Sequence, residues 1–281
     1  MSMSNLTYDS PFVAVVMSVY KLDELTAFRK CIDSLLNQTY QTFDIFIAVD
    51  GNVGKDLEAY LISLTMLESF NVFFHDENKG LAKRLNELIK TVIQCDKYVY
   101  IARMDADDIC NLERFDKQVD FLKKNAQISV VGSDVIEINE EDEEKFYKKM
   151  KSHHDEMYSN IIQRCPFNHP SVMFNIDVFQ RHALMYKDEL TNTQDYYLWV
   201  DMLSAGLKFA NINEPLLFFR VNSDFHRRRG LKKAINDFKS RVYAFKKLKV
   251  YSFRNLIHVF LLFFLRLSPS YLKSFAYRKL R

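Results

Sequence analysis

Short apolar runs alternate with segments of helical periodicity along the N-terminal part of the chain. The apolar runs are rich in β-branched and aromatic residues and predict buried strands: FVAVVMSV (12–19), FDIFIAVDG (43–51), FNVFFH (70–75) and KYVYIARM (97–104). Apolar residues recur every three or four positions in the intervening segments, 23–39, 55–68 and 81–94. This alternation predicts an α/β fold with a Rossmann-like, mostly parallel sheet flanked by helices.

The pattern is less regular in the second half of the chain. It predicts a helix, a strand and a final strand at residues 112–125, 128–138 and 214–221. The charged run EEDEEKFYKKMK (140–151) predicts a solvated loop or a helix start, and CPFNHPSVMF (165–174) predicts a loop. A further helix is predicted to begin at Asp195 within NTQDYYLWVDM (192–202).

Charge divides the chain into two unequal parts. The 281 residues carry a net charge of +3, but from His226 onward 16 Lys or Arg residues stand against a single acid, Asp237. This segment therefore carries +15, which leaves −12 for residues 1–225. We predict one α/β domain over residues 1–225 and a separate basic helical tail over residues 226–281.

The basic tail interleaves Lys and Arg with Phe, Tyr and Leu, which gives apolar stripes beside basic ones on a helix. The pattern favours a peripheral segment that lies on an anionic membrane surface. Nucleic-acid binding is disfavoured, because a nucleic acid offers no apolar surface that could bury the run VFLLFFL (259–265). Packing on the main domain or formation of a homodimer is the remaining alternative. The most apolar window, residues 255–265, is shorter than the ~20 residues that span a bilayer.

Composition indicates a globular protein that works in a reducing compartment. Hydrophobic residues make up 48% of the chain, enough for one large core. The four cysteines, Cys31, Cys95, Cys110 and Cys165, show neither a C-x-x-C pair nor a metal-binding spacing, which predicts reduced thiols. The first apolar run follows no basic segment, so we expect no signal peptide.

Three carboxylates fall into four positions of ARMDADDIC (102–110), directly after the fourth predicted strand. Ligands bind at the carboxyl ends of strands in α/β sheets. Since Asp105, Asp107 and Asp108 repel one another unless a cation lies between them, the cluster predicts Mg²⁺ or Mn²⁺ bound together with a diphosphate. The alternative is that Asp107 or Asp108 caps the following helix.

Two other strand ends carry polar residues at the same predicted edge. Asp50 closes the second strand, where a carboxylate can accept the N3 hydrogen of a uracil; an Asp-Gly turn is the simpler interpretation. Lys83 and Arg84 follow a glycine turn after the third strand. Their charges suit a phosphate or a base, although a solvated helix face is equally compatible.

Asp195 lies near the predicted start of a helix, where a negative charge is stabilised. It is a candidate general base that takes a proton from an acceptor hydroxyl, or alternatively a helix cap. Trp199 is the only tryptophan and lies one turn further on. It can stack on a sugar, although core packing is the more common position of a helical tryptophan.

Six motifs occur in one order: VMSVYKLDELTAFRKCIDSLLNQTY, FDIFIAVDG, NKGLAKRLN, ARMDADDIC, FNHPSVMF and TQDYYLWVDML. This order and spacing resembles the family 2 inverting glycosyltransferases of the GT-A fold, particularly bacterial enzymes that build O-antigen, capsule or exopolysaccharide. The resemblance covers about residues 12–225.

The resemblance implies a nucleotide-sugar site. Ser18, Val19, Tyr20 and Asp50 would hold the uracil and ribose of a UDP-sugar, with Lys83 and Arg84 as further candidates. Asp105 and Ala106 would contact the ribose or the metal region, and Asp107 would bind Mn²⁺ or Mg²⁺.

The resemblance also implies an acceptor site. Asp195 matches the catalytic base of the family's Glu-Asp motif, whose glutamate is replaced here by Gln194. His169 matches a frequent position near the donor or acceptor sugar. The family often has a metal-binding histidine just after the last strand; Asn222 stands there, which leaves His226 as the candidate ligand.

The implied reaction is transfer of a hexose, glucose or galactose, from a UDP-sugar to a hydroxyl of an undecaprenyl-diphosphate-linked saccharide. It would take place at the cytoplasmic face of the bacterial inner membrane, with inversion to a β-glycoside. A nucleotidyltransferase is an alternative, but VMSVYKLDE lacks the glycine-rich phosphate loop expected of one. A non-catalytic sugar- or lipid-binding scaffold would be expected to lose Asp107 or Asp195, and both are present.

Overall fold

The structure is a computed structural model that describes residues 10–190, 192–221 and 231–267. Its strands are β1 (Val13–Val19), β2 (Phe43–Asp50), β3 (Phe70–His75), β4 (Tyr100–Arg103), β5 (Ile109–Cys110), β6 (Ile128–Ile138), β7 (Glu144–Lys148), β8 (Met173–Asn175) and β9 (Lys208–Arg220). Its helices are α1 (Leu25–Leu36), α2 (Lys55–Leu64), α3 (Leu81–Gln94), α4 (Arg114–Lys124), α5 (His154–Ser159), α6 (Asp177–Gln180), α7 (Gln194–Ser204), α8 (Leu231–Leu248) and α9 (Phe253–Leu267).

The strands form one nine-stranded sheet in the order β3-β2-β1-β4-β8-β6-β9-β5, and β7 pairs with β6. The first half is parallel, as predicted from the alternation of strands and helices. The second half is mixed, because β8 runs antiparallel to both β4 and β6 while β9 runs parallel to β6. The carboxyl ends of β1, β2 and β4 therefore meet at one edge, where α/β sheets bind their ligands.

Helices cover both faces of the sheet. Along β1, Val13, Val15 and Met17 pack on the side of α1, α2 and α4. Ala14 and Val16 pack on the opposite side, with α3 and α7. This period of two explains why the first strand reads as a continuous apolar run: each of its faces is buried.

Three strands were not predicted from the sequence. The prediction of a solvated loop or helix start at residues 140–151 is wrong, because Glu144–Lys148 forms the edge strand β7. Its mostly charged side chains face solvent, so the segment has no apolar period to reveal it. Strands β5 and β8 have only two and three residues, and both depend on pairing with distant strands.

The C-terminal helices pack against the main domain. Ala244, Phe245 and Leu248 of α8 join the same buried cluster as Trp199 and Phe209. The basic tail predicted from charge thus contains a helix that is part of the core. Within the described ranges, no helix combines the length and apolar character needed to cross a bilayer.

Candidate active site

A cavity of about 860 Å³ opens at the carboxyl ends of β1, β2 and β4. A smaller cavity of about 400 Å³ adjoins it and shares Tyr20, Asp50 and Asn78 with it. Of the residues predicted to bind a nucleotide sugar, Ser18, Tyr20, Asp50, Asp105, Ala106 and Asp107 line the larger cavity. Val19 is wholly buried, and its side chain packs in the core. The fold therefore gathers most of this set at one edge of the sheet.

The carboxylates of the acidic motif lie in two different environments. Asp105 and Asp107 line the cavity, and Asp105 forms an ion pair with the buried guanidinium of Arg103. Asp108 is buried and accepts a hydrogen bond of 2.8 Å from the backbone N–H of Arg220. Neither Asp107 nor Asp108 caps a helix, because α4 begins at Arg114 after Glu113. The capping alternative is therefore excluded.

Burial and mutual repulsion make these carboxyls hard to ionise. Burial and the neighbouring Asp105 charge raise the pKa of Asp107 to about 6. Burial, with the charges of Asp105 and Asp107, raises the pKa of Asp108 well above its usual range. Positive charge at the mouth of the cavity would relieve this repulsion.

Asp23 is an acidic residue of the cavity that the sequence did not single out. It lies in the loop after β1, and its Oδ2 accepts a hydrogen bond of 2.8 Å from the backbone N–H of Tyr20. Burial raises its pKa to about 7, and the charges of Asp107 and Asp105 contribute in the same direction. Its position two residues before α1 was the only available signal.

Arg220, at the end of β9, connects the acidic motif to the loop between β6 and β7. Its Nε donates to the backbone oxygen of Asp107 at 2.8 Å, and its Nη1 donates to the backbone oxygen of Asn139 at 2.8 Å. Its Nη2 lies 2.6 Å from Asp142, which also pairs with Lys30 of α1. Arg220 and Lys30 both line the cavity and share the carboxylate of Asp142, so this network brings positive charge to the cavity beside the acidic motif.

Arg84 does not line the cavity but binds the carboxylate of Asp50, which does. Its guanidinium donates to Asp50, to Glu87 and to the backbone oxygen of Glu77. Lys83 pairs with Asp188, 3.5 Å away. Neither Lys83 nor Arg84 lines the cavity, and their contact with the nucleotide sugar stays a prediction.

Gln194 and Asp195 form the first turn of α7. Gln194 lines the cavity, and its Oε1 is buried without a hydrogen-bond partner in the described part of the chain. The N-cap is Thr193, so the alternative that Asp195 is the N-cap is excluded. Thr193 has a left-handed backbone with φ of 64°, which is uncommon for a β-branched residue.

His169 is partly exposed and does not line the cavity. Its Nε2 lies 2.8 Å from the hydroxyl of Tyr186, and burial with the nearby Arg103 charge lowers its pKa well below the usual range. Trp199 is 0% exposed and packs against Phe167 and Phe174. The prediction that Trp199 stacks on a sugar is wrong, because no face of its ring is accessible.

The comparisons with known proteins agree with this geometry. The family model described as Glycosyl transferase family 2 matches residues 14–186, more than half of the chain. The chain belongs to this family. The chain is also similar to glycosyltransferases that take part in bacterial polysaccharide biosynthesis.

Two relatives match nearly the whole length of the glycosyltransferase. The amylovoran biosynthesis glycosyltransferase AmsE of Erwinia amylovora is 30% identical over 277 residues, which cover 95% of this chain and 98% of that protein. The UDP-Gal:alpha-D-GlcNAc-diphosphoundecaprenol beta-1,3-galactosyltransferase of Escherichia coli is 29% identical over 273 residues, covering 96% and 97%.

Solved structures confirm the GT-A fold. TarS of S. aureus in complex with UDP superposes with a TM-score of 0.64 at 12% identity, covering 83% of this chain and 64% of that one. Its complex with UDP-GlcNAc gives a TM-score of 0.63 at 11% identity, covering 93% and 83%. At this identity the likeness concerns the fold alone.

The carboxylates at the cavity fit a divalent cation most of whose ligands come from the phosphates of the substrate. Within the described residues, no group of three or more His, Cys, Asp or Glu converges on one point. Asp107, with Asp105 beside it, offers the one or two carboxylates that Mg²⁺ uses when phosphates complete its coordination. The predicted ligand His226 and its neighbour Asn222 lie outside the described residues.

Proposed function

We propose that this glycosyltransferase moves a hexose, glucose or galactose, from a UDP-sugar to a hydroxyl of a lipid-linked saccharide and inverts the anomeric carbon to give a β-glycoside. The observation that carries the proposal is the meeting of Asp50, Asp105 and Asp107 around one cavity with Gln194, which directly precedes Asp195 in the first turn of α7. The name of the E. coli relative includes a UDP-galactose donor and a diphosphoundecaprenol acceptor, which supports the choice of substrates. The UDP and UDP-GlcNAc complexes of TarS support a uridine nucleotide.

The residues of this chain divide the chemistry between two sides of the cavity. Asp50 and Tyr20 bind the uridine end, where the two cavities join. Asp105 and Asp107 bind Mn²⁺ or Mg²⁺, which, when bound, offsets the negative charge that builds on the departing diphosphate. Lys30 and Arg220 add fixed positive charge to the same region.

On the acceptor side, Asp195 accepts the proton of the attacking hydroxyl, as a general base at the start of α7. The attack proceeds from the face opposite the leaving diphosphate, so one displacement inverts the anomeric carbon. The mechanism needs no second carboxylate as a nucleophile. Gln194 Oε1, which is buried and unpaired within the described ranges, accepts a hydrogen bond from a sugar hydroxyl.

Calorimetric titration with UDP, with and without Mn²⁺, tests the donor site, and GDP is the control ligand. We expect UDP-selective binding that strengthens with Mn²⁺ and is lost in Asp107→Asn. We expect Asp195→Asn to bind UDP normally and to lose transfer, by about 100-fold or more. Equal binding of UDP and GDP would overturn the uridine site, and normal turnover by Asp195→Asn would overturn the base.

The exposed face of α9 supports the proposal that the enzyme works at an anionic membrane surface. Phe253, Phe260, Leu261 and Phe264 are 80%, 56%, 63% and 64% exposed. Exposed basic residues lie at the end of α8 and at the start of α9: Lys246, Lys247, Lys249 and Arg254. Apolar side chains beside exposed cations suit the headgroup region of a bilayer, where a lipid-linked acceptor is presented.

Sedimentation with vesicles tests the membrane surface. We expect Phe260→Ser and Phe264→Ser each to weaken binding to phosphatidylglycerol-containing vesicles by about tenfold, because each removes a large apolar group that the bilayer would bury. Ile62→Ser, on the exposed side of α2, is the matched control and should leave binding unchanged. Unchanged binding of both α9 variants would overturn the proposal, as would a dimer in solution whose interface is disrupted by the same variants.

A further inference from the structure

Helix α8 lies along α7, the helix whose first turn carries Gln194 and Asp195. Near the start of α7, Asn236 Nδ2 donates to Asn192 Oδ1 at 3.0 Å. In the first turn of α7, the guanidinium carbon of Arg241 lies 3.8 Å from the centre of the Tyr196 ring. Further along, the Tyr243 hydroxyl donates to Asp201, whose carboxylate also lies 3.7 Å from Lys187.

The first two contacts fall on either side of a strained residue. Thr193 has a left-handed backbone, and its side chain makes no capping hydrogen bond to α7. Such a conformation persists only when the surroundings hold it. Asn192 precedes Thr193 directly, and Tyr196 follows Asp195 directly. The contacts from α8 therefore bracket residues 193–195, which include the proposed base.

Arg241 brings a positive charge to this turn. It is partly buried, and its Nε is buried without a hydrogen-bond partner in the described part of the chain. The guanidinium lies over the ring of Tyr196, which directly follows Asp195, so the charge of Arg241 sits beside the residue next to the proposed base.

Helix α9 supports α8 from its other side and reaches the segment that leads to His169. The Phe238 and Phe263 rings lie 5.7 Å apart between the two helices. Arg254 Nη2 donates to Gln163 Oε1 at 2.6 Å, and Gln163 Nε2 donates to Asn255 Oδ1 at 2.9 Å. The C-terminal helices therefore contact both the first turn of α7 and the segment that precedes His169.

We propose that Asn236 and Arg241 are positioning residues, through which α8 holds residues 192–196 in the conformation that directs Gln194 and Asp195 to the acceptor. The inference rests on the proposed function, because it needs Asp195 as the base. The C-terminal helices then contribute to turnover even when no membrane is present, and a chain without α8 lacks an ordered catalytic turn.

Hydrogen exchange and steady-state kinetics test this role with the full chain. Hydrolysis of UDP-glucose and UDP-galactose, which needs no acceptor, reports turnover without vesicles. We expect Arg241→Gln to lower kcat by about tenfold or more, with unchanged UDP affinity, and to speed amide exchange in residues 192–197. Arg241→Lys keeps the charge over Tyr196 and should recover most of the kcat. Asn236→Ala should speed exchange in the same residues.

Lys239→Gln is the matched control, since Lys239 is an exposed cation of the same helix. It should behave like the wild type in each measurement. Unchanged exchange in residues 192–197 of both Arg241→Gln and Asn236→Ala would overturn the inference, whatever the kinetics. Asp195→Asn is measured in parallel. A normal kcat for this variant would contradict the proposed function. An inactive Asp195→Asn together with a normal kcat for Arg241→Gln would contradict only the inference about α8.

Discussion

Arg84 donates from Nε to Oδ1 of Asp50 over 2.7 Å, and both side chains are only 3% exposed. The backbone N–H groups of Lys79 and Gly80 donate to the two oxygens of the same carboxylate at 2.8 Å each. Gly80 adopts a positive φ of 88°, which directs its N–H towards β2. A carboxylate that borders both cavities is thus fixed by a cation and two amides before any nucleotide binds.

Replacing Arg84 by Met should destabilise the protein by about 3–5 kcal/mol, because it leaves the carboxylate of Asp50 buried without its ionic partner. Urea unfolding measures this loss. The adjacent variant Lys83→Gln removes a partly exposed pair with Asp188 and should change the free energy of unfolding by less than about 1 kcal/mol. Similar losses in the two variants would contradict the structural importance of the buried pair.

Gly132→Ala should destabilise the protein by about 1–3 kcal/mol, because β6 approaches the core closely at this position. A Cβ there would lie 2.6 Å from Cδ1 of Phe167, which packs against Trp199. Gly54→Ala, where nothing lies within 4 Å, is the control. It should stay within about 0.5 kcal/mol of wild type. Chemical denaturation compares the two, and equal effects would show that the core yields at Phe167.

Asp23→Asn should stabilise the metal-free protein at pH 8 and have little effect at pH 4. Burial raises the folded-state pKa of Asp23 to about 7 from an ordinary value of 3.8. Its ionisation therefore begins to disfavour the folded state above the unfolded pKa, and the penalty is complete once the pH has risen through about 7. Urea unfolding midpoints of wild type and Asp23→Asn, measured in EDTA from pH 4 to pH 8, test this prediction. A stability difference between wild type and variant that does not change with pH would contradict the raised pKa.

Arg220→Gln should weaken UDP binding in Mn²⁺ by about tenfold, because it releases the backbone of Asp107 from Asn139 and Asp142. Calorimetry measures the affinity, and thermal unfolding reports the accompanying loss of stability. Lys124→Gln, an exposed cation on α4, should leave both unchanged. Wild-type UDP affinity in a destabilised Arg220→Gln protein would show that Arg220 supports the fold without positioning Asp107.

The amino-acid sequence by itself determined the order of elements and the strand ends that carry chemistry. Strands β3 and β6 and helix α3 have the bounds that the sequence pattern predicts, and β6 and α3 present most of their apolar side chains to the core. The sequence also places Asp50 and Asp105 at the ends of β2 and β4. In a parallel sheet, these ends meet at the same edge.

Only the tertiary structure decided which charges meet and which rings are buried. Lys83 and Arg84 are adjacent cations on α3. The packing of this helix against β2 brings Arg84 to Asp50, whereas Lys83 pairs with Asp188. Trp199 is enclosed by rings from other segments, and β5 and β8 exist only through pairing with distant strands. Such contacts join residues far apart along the chain, and a local periodicity carries no information about which distant partner it will meet.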